Sequence, residues 1–189
     1  MLKTHFSFDK KNAVFWSVQN HFPIEKAYSP LYFEKNSPTQ KLLHHQKYKD
    51  PNLFCEYFLS KISREILQEI KKEITAILPI PLSPSKEKNR GFNQIVPFAK
   101  TLSKALDIPI IENYLLRSTE SSSQVFRNKE ERKIQIQGNF HLGKEKMSDH
   151  HFLLVDDLCT TGSTLGECAK TLCQNSNNKV SVFSLAYVG

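Results

Sequence analysis

The chain has 189 residues, of which 39% are hydrophobic and 24% are charged, and its formal net charge is +7. This length is enough for one substantial domain, and the 13 phenylalanines predict a packed core and exclude a disordered chain. The positive charge favours acidic partners, which include nucleic acid, phosphorylated metabolites and anionic membranes, but it does not choose among them.

The spacing of the four cysteines excludes the common cysteine-based sites. Cys55, Cys159, Cys168 and Cys173 form no C-x-x-C pair, so the sequence indicates neither a zinc ribbon nor a redox motif, and we expect no zinc. We expect reduced thiols in a cytoplasmic protein. No run approaches the roughly 18 apolar residues of a membrane span. Peripheral attachment at the inner face of the membrane stays open as an alternative location.

The N-terminal part of the chain combines an irregular segment with one long amphipathic pattern. Residues 1–27 are rich in aromatic side chains without a clear period, and we interpret them as an extension that precedes one domain at 28–189. Apolar residues then recur at every fourth position from Phe54 to Ile74, which predicts a helix over 52–73. Shorter patterns predict a strand at 27–33 and a helix at 37–47.

Strand and helix patterns alternate over the rest of the chain. This alternation predicts an α/β fold with a mainly parallel sheet flanked by helices and joined by right-handed crossovers. A polar, charged stretch at 117–133 predicts a long mobile loop. The predicted strands are 74–82, 108–112, 140–142, 151–156 and 179–188, and the predicted helices are 93–106 and 163–173.

The clearest functional motif follows the predicted strand 151–156. Asp156 and Asp157 end the apolar run, and a loop of small hydroxyl residues around Gly162 leads into a helix. Glycine allows a close backbone approach to a ligand, and a helix N-terminus favours an anion. Carboxylates accept hydrogen bonds from hydroxyls and bind Mg²⁺. A sugar phosphate therefore suits both halves, whereas a simple helix cap explains one acid but not both.

The segment LLVDDLCTTGSTL resembles the 5-phosphoribosyl-1-pyrophosphate (PRPP) motif of type I phosphoribosyltransferases. The resemblance implies that Asp156 and Asp157 contact the ribose and hold Mg²⁺. It also implies that the loop binds the 5-phosphate of PRPP. The implied loop residues are Cys159, Thr160, Thr161, Gly162, Ser163 and Thr164.

Two further segments narrow the resemblance to the ComF/GntX family of bacterial competence proteins. They are PIPLSPSKEKNRGFNQ (79–94) and SSSQVFRNKEERKIQIQGNFHL (121–142), although Gln135 stands where the family pattern has Asn. Many members of this family begin with a cysteine-rich zinc finger. The cysteines of this chain cannot form one, so the resemblance implies a short, zinc-free member.

Basic residues outside the motif are candidates for the remaining phosphates. Lys86, Lys88 and Arg90 follow the predicted strand 74–82. If this strand runs parallel to 151–156, these side chains lie on the side of the two acids and can hold the pyrophosphate. The alternative is a solvated charged loop, which is the better explanation for either lysine alone. The guanidinium of Arg90 can grip phosphate oxygens with two hydrogen bonds.

Single-stranded DNA is a second predicted partner. Aromatic side chains that stack on bases, with cations along the phosphates, are the usual means of binding single strands. Part of the candidate set lies in the predicted mobile loop, which the resemblance implies folds over bound PRPP. The candidates are Lys47, Tyr48, Lys49, Phe92, Arg127, Lys129, Arg132 and Lys133.

The resemblance implies a protein that binds Mg²⁺ and PRPP and acts in DNA uptake during natural transformation. It would handle single-stranded DNA in the cytoplasm, with other DNA-uptake proteins as further partners. The alternative is an active phosphoribosyltransferase that displaces pyrophosphate from PRPP onto an unidentified acceptor. No general base for an acceptor is evident in the sequence, so the sequence leaves open whether the chain is an enzyme.

Overall fold

Seven strands and six helices make up the described part of the chain. The computed structural model describes residues 1–45, 51–83, 87–88, 91–118, 139–174 and 176–189. The elements are α1 (Ala13–Gln19), β1 (Ala27–Tyr28), β2 (Leu31–Tyr32), α2 (Pro38–His45), α3 (Pro51–Leu59), α4 (Arg64–Glu73), β3 (Ala76–Pro79), α5 (Ile95–Leu106), β4 (Leu115–Arg117), β5 (Phe140–Leu142), β6 (His151–Cys159), α6 (Ser163–Cys173) and β7 (Lys179–Tyr187).

Five of the strands form one parallel sheet. Its order is β1-β7-β6-β3, and β2 also pairs with β7. Every pairing in this sheet is parallel, with Pro79 opposite Val155 and Asp156 opposite Ser184. The separate β4–β5 pair is antiparallel. The predicted α/β fold with a mainly parallel sheet is therefore confirmed.

Helices cover both faces of the sheet because the central strands are apolar on both sides. Leu153 and Val155 of β6 pack into one buried cluster with residues of α3, α4 and α5. Phe152 and Leu154 pack into a second cluster with residues of α1 and α6. Alternate side chains of a strand point to opposite faces, so β6 separates the two halves of the core.

The single helix predicted over 52–73 is wrong, because the structure has two helices, α3 and α4. The chain turns at residues 60–63, and Ser63 caps α4 by accepting a hydrogen bond from the Ile66 amide at 3.4 Å. The hydroxyl of Ser60 donates to the Tyr57 carbonyl at 2.6 Å. Serine side chains compete in this way with backbone hydrogen bonds, and they favour helix ends over helix interiors.

The strand predicted at 74–82 is shortened to β3 (Ala76–Pro79), and two further predicted strands are also shorter than expected. The strand predicted at 27–33 is interrupted between β1 and β2, since Pro30 has no amide to donate and its carbonyl accepts from the Thr4 amide at 3.2 Å. The segment 108–112 forms only one bridge, in which Ile110 lies opposite Ile77 of β3. Both segments still run parallel to the central strands.

The N-terminal segment contains a helix that the sequence pattern did not predict. The Asn12 side chain caps α1 by accepting from the Phe15 amide, and three residues of α1, Val14, Phe15 and Val18, are buried. The predicted domain boundary between residues 27 and 28 stays a prediction. The predicted mobile loop falls mostly on residues 119–138, outside the described residues. Within the described ranges, every helix is too short or too polar to cross a membrane.

Candidate functional site

The two acids lie within β6, as its sixth and seventh residues, rather than after it. The strand continues to Cys159 because its pairing with β7 extends to Tyr187, and the Cys159 carbonyl accepts from the Val188 amide at 2.9 Å. β3 ends opposite Val155, so among the described strands residues 156–159 pair only with β7. Among the described strands, β6 therefore has no partner on the β3 side beside the acids, at the carboxyl end of the sheet.

Asp156 and Asp157 are both half-buried. The Asp157 amide donates to Asp156 Oδ1 at 2.8 Å. Burial, followed by the nearby Asp156 carboxylate, raises the pKa values of the Cys159 and Cys168 thiols. Leu158 packs against the cluster of α3, α4 and α5 and Cys159 belongs to that of α1 and α6, so the alternation seen over residues 152–155 does not continue through the acids. Both acids lie where β6 pairs with β7 and, among the described strands, no longer with β3.

The loop after β6 turns sharply and presents hydroxyl groups to solvent. Gly162 adopts φ +77°, a left-handed conformation, and α6 begins at the next residue. Thr160, Thr161 and Ser163 are exposed. The Thr161 hydroxyl donates to the Ser163 hydroxyl at 3.0 Å. The first amides of a helix lack partners within that helix, so the first turn of α6 can donate to an anion beside these hydroxyls.

Cys159 differs from the other predicted loop residues because its side chain lies in the core. The thiol is 1% exposed, and burial raises its pKa to about 12. A hydrogen bond with the Gly162 backbone acts in the opposite direction on that pKa. At neutral pH the thiol is therefore protonated, and the Cys159 carbonyl is occupied by the Val188 amide.

The loop after β3 leaves the sheet at the carboxyl end of the strands, the end at which the two acids lie. The parallel β3–β6 pairing, with Pro79 opposite Val155, confirms the orientation on which the predicted pyrophosphate site depends. The loop returns to α5 through Asn93, whose Nδ2 donates to the Ile80 carbonyl at 2.8 Å. Lys88 is exposed. Lys86 and Arg90 lie outside the described residues.

One of the eight predicted DNA-binding residues, Phe92, lies within the described part of the chain. Its side chain is 38% exposed. The remaining seven candidates fall outside the described residues; they are Lys47, Tyr48, Lys49, Arg127, Lys129, Arg132 and Lys133. The β4–β5 pair flanks the segment that holds the last four, and Asn139 before β5 donates to Glu167 of α6.

The carboxylate oxygens of the site are suitable ligands for a Mg²⁺ ion that is also held by the phosphates of a substrate. Among the described residues, no three His, Cys, Asp or Glu side chains come together as a metal-binding group. Mg²⁺ is usually held by one or two carboxylates together with substrate phosphates and water, rather than by a complete protein cage. Asp156 and Asp157 are a donor set of that kind.

The N-terminal segment is the part of the site surroundings that sequence patterns missed. His21 Nε2 lies 3.1 Å from the Thr161 carbonyl oxygen, and the backbone of α1 contacts Gly162. These contacts join residues about 140 positions apart in the chain. No local motif records such a contact, so only the tertiary structure reveals it.

Comparison with models of known protein families found no match. Curated relatives do match the chain. Competence protein F of Haemophilus influenzae is 34% identical over 113 residues, which are 59% of this chain and 49% of that protein. DNA utilization protein YhgH of Escherichia coli K12 is 28% identical over 156 residues, which are 78% of this chain and 66% of that protein. Competence protein ComFC of Bacillus subtilis is 27% identical over 151 residues, or 79% and 60%.

These matches confirm the resemblance to the ComF family. The chain spans about half the length of the H. influenzae relative and less than two thirds of the other two. Among solved structures, purine phosphoribosyltransferase from Pyrococcus horikoshii matches with a TM-score of 0.36 and 14% identity, over 84% of this chain and 85% of that chain. Adenine phosphoribosyltransferase from Leishmania donovani matches with a TM-score of 0.35 and 14% identity, over 96% and 83%. Both likenesses are distant, so the architecture rests on this chain's own elements.

Proposed function

We propose that the chain binds PRPP together with Mg²⁺ at the carboxyl end of β6 and acts in DNA uptake. The observation that carries the proposal is the joining of two half-buried acids to a left-handed glycine turn with exposed hydroxyls and a helix N-terminus. An anion alone would suit the turn but not the acids. A ribose phosphate has hydroxyls for the acids and a phosphate for the turn.

Each part of the proposed ligand has its own partners. Asp156 and Asp157 accept hydrogen bonds from the ribose hydroxyls or hold Mg²⁺, and residues 160–164 surround the 5-phosphate. Lys86, Lys88 and Arg90, in the loop after β3, hold the pyrophosphate. Mg²⁺, when bound, neutralises part of the pyrophosphate charge. The parallel pairing of β3 and β6 supports this assignment, since the loops that follow the two strands leave the same end of the sheet and one ligand can reach both.

The relatives support a role in DNA uptake. Two of the three described above are named competence proteins, and the third is named a DNA utilization protein. We propose that this chain handles single-stranded DNA in the cytoplasm, with other DNA-uptake proteins as further partners. The formal net charge of +7 supports an acidic partner such as DNA.

Calorimetric titration of the full chain with PRPP and Mg²⁺ tests the proposal. The double variant Asp156→Asn and Asp157→Asn is expected to bind PRPP roughly 100-fold more weakly or worse, because each charge-assisted contact contributes roughly 1.5–3 kcal/mol. Its thermal unfolding should stay cooperative. Equal affinities of wild type and variant would rule out the assignment of the acids.

Asp149→Asn is a matched control for this titration. Asp149 lies just before β6, at the end of the strand opposite the two acids, and its change to Asn is the same carboxylate-to-amide substitution. Asparagine tolerates the φ of 62° at this position. We expect Asp149→Asn to bind PRPP as wild type does. Pyrophosphate release, measured in parallel with a panel of amines and nucleobases, reports whether the bound ribosyl group is also transferred.

A further inference from the structure

Helix α1 and residues 20–22 after it pack against the turn that contains Gly162; we call this part of the chain the N-terminal wall. A Cβ atom built on Gly162 would lie 2.5 Å from the carbonyl carbon and oxygen of Ser17 and 2.7 Å from the Val18 amide nitrogen. All three atoms belong to the backbone and have little freedom to move. The end of α1 therefore fits against the turn only because residue 162 has no side chain.

His21, just after α1, makes a hydrogen bond to the turn itself. Its Nε2 lies 3.1 Å from the Thr161 carbonyl oxygen. A carbonyl oxygen can only accept, so Nε2 carries the proton and donates. A Cβ on Gly166 would lie 2.5 Å from the His21 Cβ, so His21 also rests on the first turn of α6. Two glycines thus make room for the N-terminal segment on this side of the site.

The contact with His21 fixes one peptide group of the turn. The carbonyl of the Thr161–Gly162 peptide accepts from His21. This hydrogen bond restrains the peptide from turning its carbonyl oxygen toward a bound anion. Such a rotation would place a negative dipole end against the phosphate and oppose binding.

We propose that His21 is a positioning residue for the phosphate end of the site. It holds the Thr161 carbonyl oxygen against the N-terminal segment, so that this oxygen does not face a ribose phosphate bound beside the exposed side chains of Thr160, Thr161 and Ser163. This inference rests on the proposed function. It gives residues 12–22 a defined role, namely to shape the turn that receives the phosphate.

Titration of the full chain with ribose 5-phosphate and, separately, with inorganic pyrophosphate tests the proposal. His21→Leu has no donor and is expected to bind ribose 5-phosphate about tenfold more weakly, the loss typical of one hydrogen bond. The affinity for pyrophosphate, which the loop after β3 holds, should change little. His21→Gln places an amide N–H close to the position of Nε2 and should restore most of the affinity for ribose 5-phosphate.

Three results would overturn the inference. They are an unchanged affinity of His21→Leu for ribose 5-phosphate, an equal loss for both ligands, and a failure of His21→Gln to restore binding. If wild type does not bind ribose 5-phosphate at all, the proposed function itself fails. Long-range ¹H–¹⁵N spectra of the wild-type chain in mildly alkaline buffer give a readout that needs no ligand and no variant. A proton on Nε2 is expected, and a proton on Nδ1 would exclude the bond to Thr161.

Discussion

Gly162 and Gly91 have the same backbone conformation in different surroundings. Their φ angles are +77° and +79°, a left-handed region that costs residues with a Cβ roughly 1–2 kcal/mol. Among the described residues, a Cβ on Gly91 would meet nothing within 4 Å, whereas one on Gly162 would meet the backbone of α1 at 2.5 Å. The two positions therefore separate the conformational role of glycine from its packing role.

Gly162→Ala should lower the free energy of unfolding by about 3 kcal/mol, because backbone strain and overpacking against α1 add together. Gly91→Ala is the matched control and should lose only about 1 kcal/mol, from backbone strain alone. Urea denaturation of both variants and of wild type measures the difference. Equal losses would mean that α1 does not press against the turn as the structure has it.

At the level of single residues, the sequence predicts the chemistry of the site better than its surroundings. The order of two acids, threonines and glycine from Asp156 to Thr164 is local and could be recognised directly. The inward direction of the Cys159 thiol and the contact from His21 depend on how distant segments pack. Their physical causes, burial among the core residues of α6 and the space left at Gly162, are properties of the folded chain.

Among the elements, α3 and α4 show why the apolar period overestimates helix length. Ile62, Ile66 and Ile70 all pack into the same buried cluster, so the apolar pattern continues across the turn between the helices. The second helix begins after Ser63, whose side chain caps it without altering the spacing of the apolar residues. A helix boundary is thus decided by side chains that compete for backbone groups, and such competition is visible only as single residues in the sequence.

Ser63→Ala should lower the free energy of unfolding by about 1 kcal/mol, the usual cost of losing an N-cap. Ser60→Ala is the control, because Ser60 lies in the same turn but only donates to the Tyr57 carbonyl. We expect its effect to be close to zero. Chemical denaturation measures both values. If the two variants are equally stable, the second helix does not begin at Ser63.

In the whole molecule, the sequence pattern predicts the parallel sheet and the helices that flank it, but it does not predict helix α1 of the N-terminal wall. The alternation of strands and helices was enough to predict a parallel sheet with helices on both faces, because each parallel crossover requires a connecting element. The order β1-β7-β6-β3 could not be derived, since it depends on which strand edges meet. The N-terminal helix was missed because α1 has only seven residues, too few to show a period.

The proposed handling of DNA belongs to the scale of the whole molecule, since it draws on the overall charge. Fluorescence anisotropy with a single-stranded oligonucleotide should show binding that weakens as salt rises, because phosphate contacts release counterions. Changing Lys47 and Lys49 together to Gln should reduce the salt slope by about 0.7 for each lost contact.

Lys144 and Lys146, changed together to Gln, are the control for this experiment. They repeat the K-x-K spacing in an exposed segment before β6. This pair should leave the salt slope unchanged. Binding that does not respond to salt, or equal effects of the two pairs, would contradict a DNA surface at residues 47–49.

Amide chemical-shift mapping of the full chain with PRPP and Mg²⁺ tests the central claim most directly, since it reports the position of the ligand without any variant. The account predicts saturable shifts that are largest at residues 156–165, at the end of β6 and the start of α6. The amide signals of residues 179–181, at the amino end of β7 and thus at the opposite end of the parallel strands, should shift little. The absence of saturable shifts, or the largest shifts at the amino end of the strands, would contradict a PRPP site at the carboxyl end of β6.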